Sequence, residues 1–292
     1  KAGKSSFQSE VVNGEESRKQ WQEIPSVITN VRDRAFYVLR NFWNDVSFKE
    51  NVLHSQNTEL DKKFLTFVRL LSRYPDSSLR RESVNIFVSK VEKSMEVYGY
   101  FVEQAEFYLY SPSSPIRDEN LYKVFVERFL HSPCCDEMTE ARLIFQKTMM
   151  SKNNVGALAV DFSYTTAEGE VCTLSEMAKG KDVILLFYSP GCRECENVEY
   201  LLANNDMLRE CIREERVALL AVYVDGVETI WERCKDDLPD EWISATDWAM
   251  VRRNRLYDLK AIPTLYLLDG QQHVVLKDVG VETLLDYLAQ RY

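Results

Sequence analysis

The chain has 292 residues, enough for about two domains with substantial cores. Its hydrophobic content is 45% and its aromatic content 12%, yet no apolar run approaches the ~20 residues of a membrane helix. Asp and Glu number 46 against 36 Lys and Arg; the net charge of −10 disfavours nucleic acid as a partner.

Residues 1–20 are polar and read as a flexible N-terminal arm. From Trp21 to Lys152 the apolar residues recur at three- and four-residue steps, the mark of amphipathic helices. Ile28, Val31, Ala35, Val38 and Phe42 make one such face, and Leu60, Phe64, Phe67 and Leu71 make the next, stopping before Tyr74-Pro75. Ser77 or Ser78 is placed to cap a long helix starting near Leu79, and Gly99 to bend or end it. An apolar stretch over 100–110 runs into the Ser111–Pro115 loop, and two further helices fit 118–130 and 136–150. The expectation is an all-α bundle of about six helices over 21–152. Its aromatic residues Tyr98, Tyr100, Phe101, Phe107, Tyr108 and Tyr110 read as core, with a binding groove as the alternative. Cys134-Cys135 follow Pro133 at a helix start, as two free thiols or a vicinal disulfide.

Over 153–292 strands and helices alternate. Strands are expected at 160–164 and 170–174 around a turn at Gly169, then at 183–188, 217–224, 242–245, 265–268 and 274–277. Helices are expected over 194–214, around Trp231 and Cys234, from Thr246 or Asp247 to Leu259, and over 282–290. The first strand–helix–strand unit should be parallel by a right-handed crossover and the last two strands antiparallel. This is an α/β fold with a mixed central sheet flanked by helices.

Val183–Tyr188 reads as a buried strand, Ser189-Pro-Gly191 breaks it, and Cys192-Arg-Glu-Cys195 opens the next helix. Two cysteines three apart, just under one turn of about 3.6 residues, share one side of the first turn and can close a disulfide. The free N–H groups of the helix start favour a thiolate at Cys192. Cys192 is the expected attacking thiolate and Cys195 the resolving thiol. Arg193 should aid the thiolate and Glu194 oppose it. The rival chemistry, half of a zinc site, lacks partners: His54, His131 and His273 lie at no ligand spacing to the pair. Cys172 and Cys211 sit in apolar patterns that suggest core positions; Cys234 could face core or solvent.

Residues 156–292 resemble the thioredoxin fold, in particular the TlpA/ResA-like thiol-disulfide oxidoreductases. The carriers are Val160-Asp-Phe162, Leu174-Ser-Glu176, Ser189-Pro-Gly-Cys-Arg-Glu-Cys195, Tyr223-Val-Asp225, and Tyr257-Asp-Leu-Lys-Ala-Ile-Pro-Thr264 leading to Leu267-Leu-Asp-Gly270. The whole chain is similar to exported bacterial proteins that carry a helical domain of unknown function ahead of this one. The resemblance implies a cis Pro263 facing the cysteines, with Ile262 offering backbone hydrogen bonds to a substrate and Gly191 on the substrate side. It implies protein disulfide substrates, a membrane-linked thiol donor, no cofactor beyond the Cys192–Cys195 pair, and a periplasmic or cell-envelope location. A lipid anchor on a removed N-terminal segment belongs to the same expectation. The chain departs from the family at Gly191 (usually Trp), Glu194 (usually Pro), Leu186 (the buried acid of thioredoxin) and Val198 (usually Glu). Glu196 and Glu199 lie close, at other helical angles, and read as surface residues that could tune the thiols. A binding scaffold and a peroxidase-like use of Cys192 are the rival functions.

Overall fold

The computed structural model describes residues 24–48, 52–177 and 180–292. The arm expected over 1–20 lies outside them. The chain divides into two compact units between Ile144 and Phe145.

Six helices are described before the first strand: α1 Val31–Asn41, α2 Val52–Arg73, α3 Ser77–Val91, α4 Met95–Leu109, α5 Glu119–Phe129 and α6 Glu137–Met150. Short polar side chains start α1, α3, α4 and α5. Asn30 accepts from the amides of Arg32 and Asp33, and Asp118 accepts from that of Leu121. The cap of α3 is Asp76 and not Ser77 or Ser78: its Oδ1 takes the amides of both Ser78 and Leu79 at 3.0 Å. Nor does Gly99 break a helix. The chain turns at 92–94, where Ser94 caps a new start, and Gly99 lies inside α4.

The core of this unit is aromatic. Trp43, Phe64, Phe67, Phe87, Phe101 and Phe125 are fully buried, and Phe87 meets Phe101 edge-on at 5.0 Å, the favoured geometry for two rings. Tyr98 and Phe101 are core, whereas Phe107 is exposed and Tyr100, Tyr108 and Tyr110 are half-buried. Arg80 on α3 is buried with a use for its charge. Its guanidinium donates to the carbonyls of Leu71, Ser72 and Tyr74 at the end of α2, and to Asp118 Oδ2 at 3.1 Å.

The second unit is built on a seven-stranded sheet in the order β2-β1-β5-β4-β3-β6-β7. The strands are β1 Ser163–Thr166, β2 Val171–Thr173, β3 Asp182–Tyr188, β4 Val217–Tyr223, β5 Ile243–Thr246, β6 Thr264–Leu268 and β7 Val274–Lys277. β3, β4 and β5 run parallel; β6 is antiparallel to β3, and β7 to β6. Every residue of β3 is buried, as its uninterrupted apolar run requires of a central strand covered on both faces. Ile184, Leu186 and Tyr188 point into one core and Val183, Leu185 and Phe187 into the other. The helices are α7 Leu174–Met177, α8 Arg193–Ala203, α9 Asp206–Arg213, α10 Glu228–Cys234, α11 Met250–Arg253 and α12 Val281–Arg291.

Three expected elements differ. The strand expected from Val160 begins at Ser163. The helix expected over 194–214 is two helices, because Asn204 ends α8 and the Asn205 side chain caps Leu208 N of α9 at 2.9 Å. The helix expected up to Leu259 is the single turn α11. Left-handed residues bracket it, Ala249 before (φ 63°) and Arg255 after (φ 53°). The end of α6 belongs with the sheet: Lys277 Nζ donates to the carbonyls of Met150 and Lys152 at 2.9 Å.

Candidate redox site

β3 ends at Tyr188 and delivers the chain to a tight turn. The Cys192 amide donates to Ser189 O at 3.3 Å, and Gly191 between them has φ +73°, a conformation that side chains disfavour. Cys192 is the N-cap of α8. Its carbonyl accepts the first helical bond, from Glu196 N at 3.0 Å, while its side chain caps nothing. The sulfur therefore stands free of its own helix, half-buried. Its contact is Ile262 O, at 3.6 Å.

That carbonyl comes from the segment entering β6. Phe187 pairs with Thr264, so the preceding Ile262–Pro263 lies beside the end of β3. The Ile262–Pro263 bond is cis, and both residues are half-buried. Thr264 Oγ1 closes the turn by donating to Ala261 O at 2.6 Å. Three of the residues singled out in the sequence thus meet here: Cys192, Ile262 and Pro263.

Cys195, one turn on, is only 1% exposed and packs in the core with Leu186 and Tyr188. Burial raises its thiol pKa, and the neighbouring Cys192 sulfur and Glu199 carboxylate push it further up. The pair is asymmetric, with one accessible sulfur and one that is held protonated and sheltered.

Glu199 follows Cys195 by four residues, on the same face of α8. The surface position expected for it is wrong. Glu199 is half-buried, and burial followed by Glu196 and Asp237 raises its carboxyl pKa. Glu196, Arg193 and Glu194 are exposed, as is Gly191. Cys234 is 6% exposed and so belongs to the core; burial first, then Asp237, raises its thiol pKa. Cys211 is buried and Cys172 is half-buried. Val198 packs against the same core as Cys195, which leaves no acid at that position. Among the described residues no three His, Cys, Asp or Glu side chains gather as a metal site.

One contact of the turn was not foreseen. Ser189 Oγ donates to Asp225 Oδ2, tying the Cys192 turn to the segment after β4. A hydroxyl and a carboxylate that are 36 residues apart carry no signal in the sequence until the strand pairing is known.

Residues 1–153 match the model of a domain of unknown function, DUF5106. That is more than half of the chain. The chain belongs to the DUF5106 family. Residues 155–283 match the AhpC/TSA family, so a thioredoxin-fold domain follows the helical one. A thioredoxin-like protein from Bacteroides caccae is 27% identical and superposes with a TM-score of 0.84, over 93% of this chain and 98% of its own. A conserved protein of unknown function from Bacteroides fragilis is 36% identical over 46% of this chain and 98% of its own, with a TM-score of 0.45. The thioredoxin domain of a thiol-disulfide oxidoreductase from Bacteroides vulgatus is 18% identical over 46% of this chain and 98% of its own, with a TM-score of 0.40. No curated protein matches the sequence. Among the described residues no helix is long and apolar enough to cross a membrane.

Proposed function

We propose that this protein is a thiol-disulfide oxidoreductase acting on protein disulfides through Cys192 and Cys195. The observation that carries the reading is the asymmetric pair at the start of α8: a half-buried Cys192 sulfur free of its helix beside a buried Cys195.

The Cys192 thiolate attacks one sulfur of a substrate disulfide. A mixed disulfide forms, and the other substrate sulfur leaves as a thiolate and takes up a proton. Cys195 then gives its proton to Glu199 and attacks the Cys192 sulfur. The second substrate sulfur leaves, and a Cys192–Cys195 disulfide remains. Two electrons have passed from the pair to the substrate. Glu199 suits the task because its partial burial favours the protonated carboxyl, which brings its proton affinity closer to that of the thiol. Ile262 supplies a carbonyl beside Cys192, and with Pro263 and Gly191 it borders the place where the substrate chain would lie. Arg193 and Glu194 set the local field from solvent. A membrane-linked thiol donor in the cell envelope would restore the dithiol; that part of the proposal rests on the family resemblance.

The AhpC/TSA match supports a second reading, in which Cys192 reduces a peroxide and Cys195 condenses with the resulting sulfenic acid. Insulin reduction by dithiothreitol separates the two. Wild type should accelerate it, and Cys192→Ser should not. Equal rates from both proteins sink the oxidoreductase reading, and peroxide consumption without insulin reduction favours the second.

A further inference from the structure

Trp248 is a large apolar side chain left 37% exposed, on a backbone that side chains avoid. Trp248 (φ 54°) and Ala249 (φ 63°) are both left-handed. Such a conformation persists only where its surroundings over-determine it, and here they do. Thr246 Oγ1 accepts from Trp248 N at 3.3 Å and donates to Tyr223 O at 3.2 Å. Asp247, 1% exposed, accepts from Ala249 N at 3.1 Å and Val251 N at 2.6 Å. The indole Nε1 donates to Thr165 Oγ1 at 3.0 Å, which fixes the ring.

This loop is joined to the cysteine turn. Gly226 packs against it so tightly that a Cβ would lie 2.8 Å from the Trp248 carbonyl carbon and 2.9 Å from Ala249 N. The residue before Gly226 is Asp225, which accepts the Ser189 hydroxyl, and Ser189 O holds the Cys192 amide. β3, β4 and β5 are parallel, so the segments following all three emerge at the same end of the strands. Cys192 and Trp248 therefore share that end of the sheet, after strands separated by β4 and linked through Ser189, Asp225 and Gly226. Val227 (44%), Ile230 (41%) and Met250 (47%) leave further apolar surface exposed on the same segments. Gly191, beside the sulfur, offers no side chain to a substrate.

We propose that Trp248 is the specificity-determining residue of the Cys192 site: a rigid aromatic wall for an apolar side chain near the cysteine of an extended polypeptide disulfide. The assignment rests on the thiol-disulfide reading. Burying an indole against a substrate chain strengthens association while leaving sulfur chemistry alone.

The test uses the pre-reduced full chain in single turnover with two disulfides: insulin, a polypeptide, and 5,5′-dithiobis(2-nitrobenzoate), which has no chain to reach the wall. Trp248→Ala should lower the second-order rate with insulin about tenfold and leave the small disulfide within about twofold, with Trp248→Phe recovering most of the loss. An insulin rate indifferent to Trp248→Ala overturns the wall alone, and so does an equal loss on both substrates. A wild type that reacts with neither disulfide brings down the thiol-disulfide reading, and the wall with it.

Discussion

The chain carries two close pairs of cysteines, and the fold gives them opposite settings. Cys134 and Cys135 are neighbours in the turn ahead of α6, both half-buried, and the Cys134 thiol donates to Glu92 O at 3.1 Å. Cys192 and Cys195 open a helix, one accessible and one in the core. Adjacent residues have Cα atoms about 3.8 Å apart across a trans bond, short of the roughly 4.4–6.8 Å that an unstrained disulfide spans. Three residues on a helix fall within that span. Spacing alone therefore prepares one pair to open and close cheaply, and loads the other with strain on closing. The environment widens the gap, since the second pair has the half-buried carboxyl of Glu199 one turn further along its own helix.

The comparison breaks most visibly if the wrong pair is removed without consequence. Cys192→Ser should cut insulin reduction by at least about 100-fold, while Cys134→Ser combined with Cys135→Ser should leave it within about twofold. Cys195→Ser keeps the attacking sulfur and loses the resolving one. It should accumulate a mixed disulfide with insulin chains, visible on a non-reducing gel, and turn over more slowly by roughly the same order. No trapped adduct would argue against Cys195 as the resolving thiol.

Glu199→Gln should slow the resolving step by roughly 10–100-fold, with the loss smallest at high pH, where hydroxide substitutes for the carboxylate. The same change should raise Tm at pH 7. The raised pKa of Glu199 means that the folded protein holds this proton more tightly than the unfolded chain. Its contribution to stability is complete below the unfolded pKa, near ~4.3, and is lost as pH rises through the folded value. Gln escapes that loss, so the difference in Tm should close as the pH is lowered toward ~4. A variant that is less stable at pH 7 would contradict the assigned burial.

The smallest effect is kinetic protection. With iodoacetamide on the native, reduced protein, Cys192 should be carboxamidomethylated first and Cys195, Cys211 and Cys234 last, because the last three are buried. Mass spectrometry of timed aliquots reads the order, and early labelling of Cys195 would remove the asymmetry on which the mechanism stands.

Much of this was legible in the residues, for identifiable reasons. Val183–Tyr188 is a strand covered on both faces, and a run without polar interruption says so directly. Cys192 and Cys195 declare themselves by spacing and by the break at Ser189-Pro-Gly191. What stayed hidden depends on partners distant in the chain. Glu199 is half-buried because of what packs around it, including Asp237, so its helical angle relative to Cys195 was visible and its burial was not. Cys234 is similar, since its placement in the core needs Tyr188 from another element. The break between α8 and α9 was written in Asn204-Asn205, two polar residues that interrupt a helix by capping its neighbour. Asp76 shows the converse: the cap expected at Ser77 or Ser78 falls to the residue before the serines, which receives both free amides.

Arg80 reaches across the helical unit, joining the last turn of α2, its own helix α3 and Asp118 at the start of α5. A residue that fastens three helices at once makes their melting a shared event. Displacing α2 or the start of α5 would take partners from a guanidinium in a residue that is 8% exposed, and breaking a buried ion pair costs on the order of 3–5 kcal/mol. Partial unfolding is thereby penalised at its first step. The end of α2, α3 and the start of α5 are coupled through one side chain.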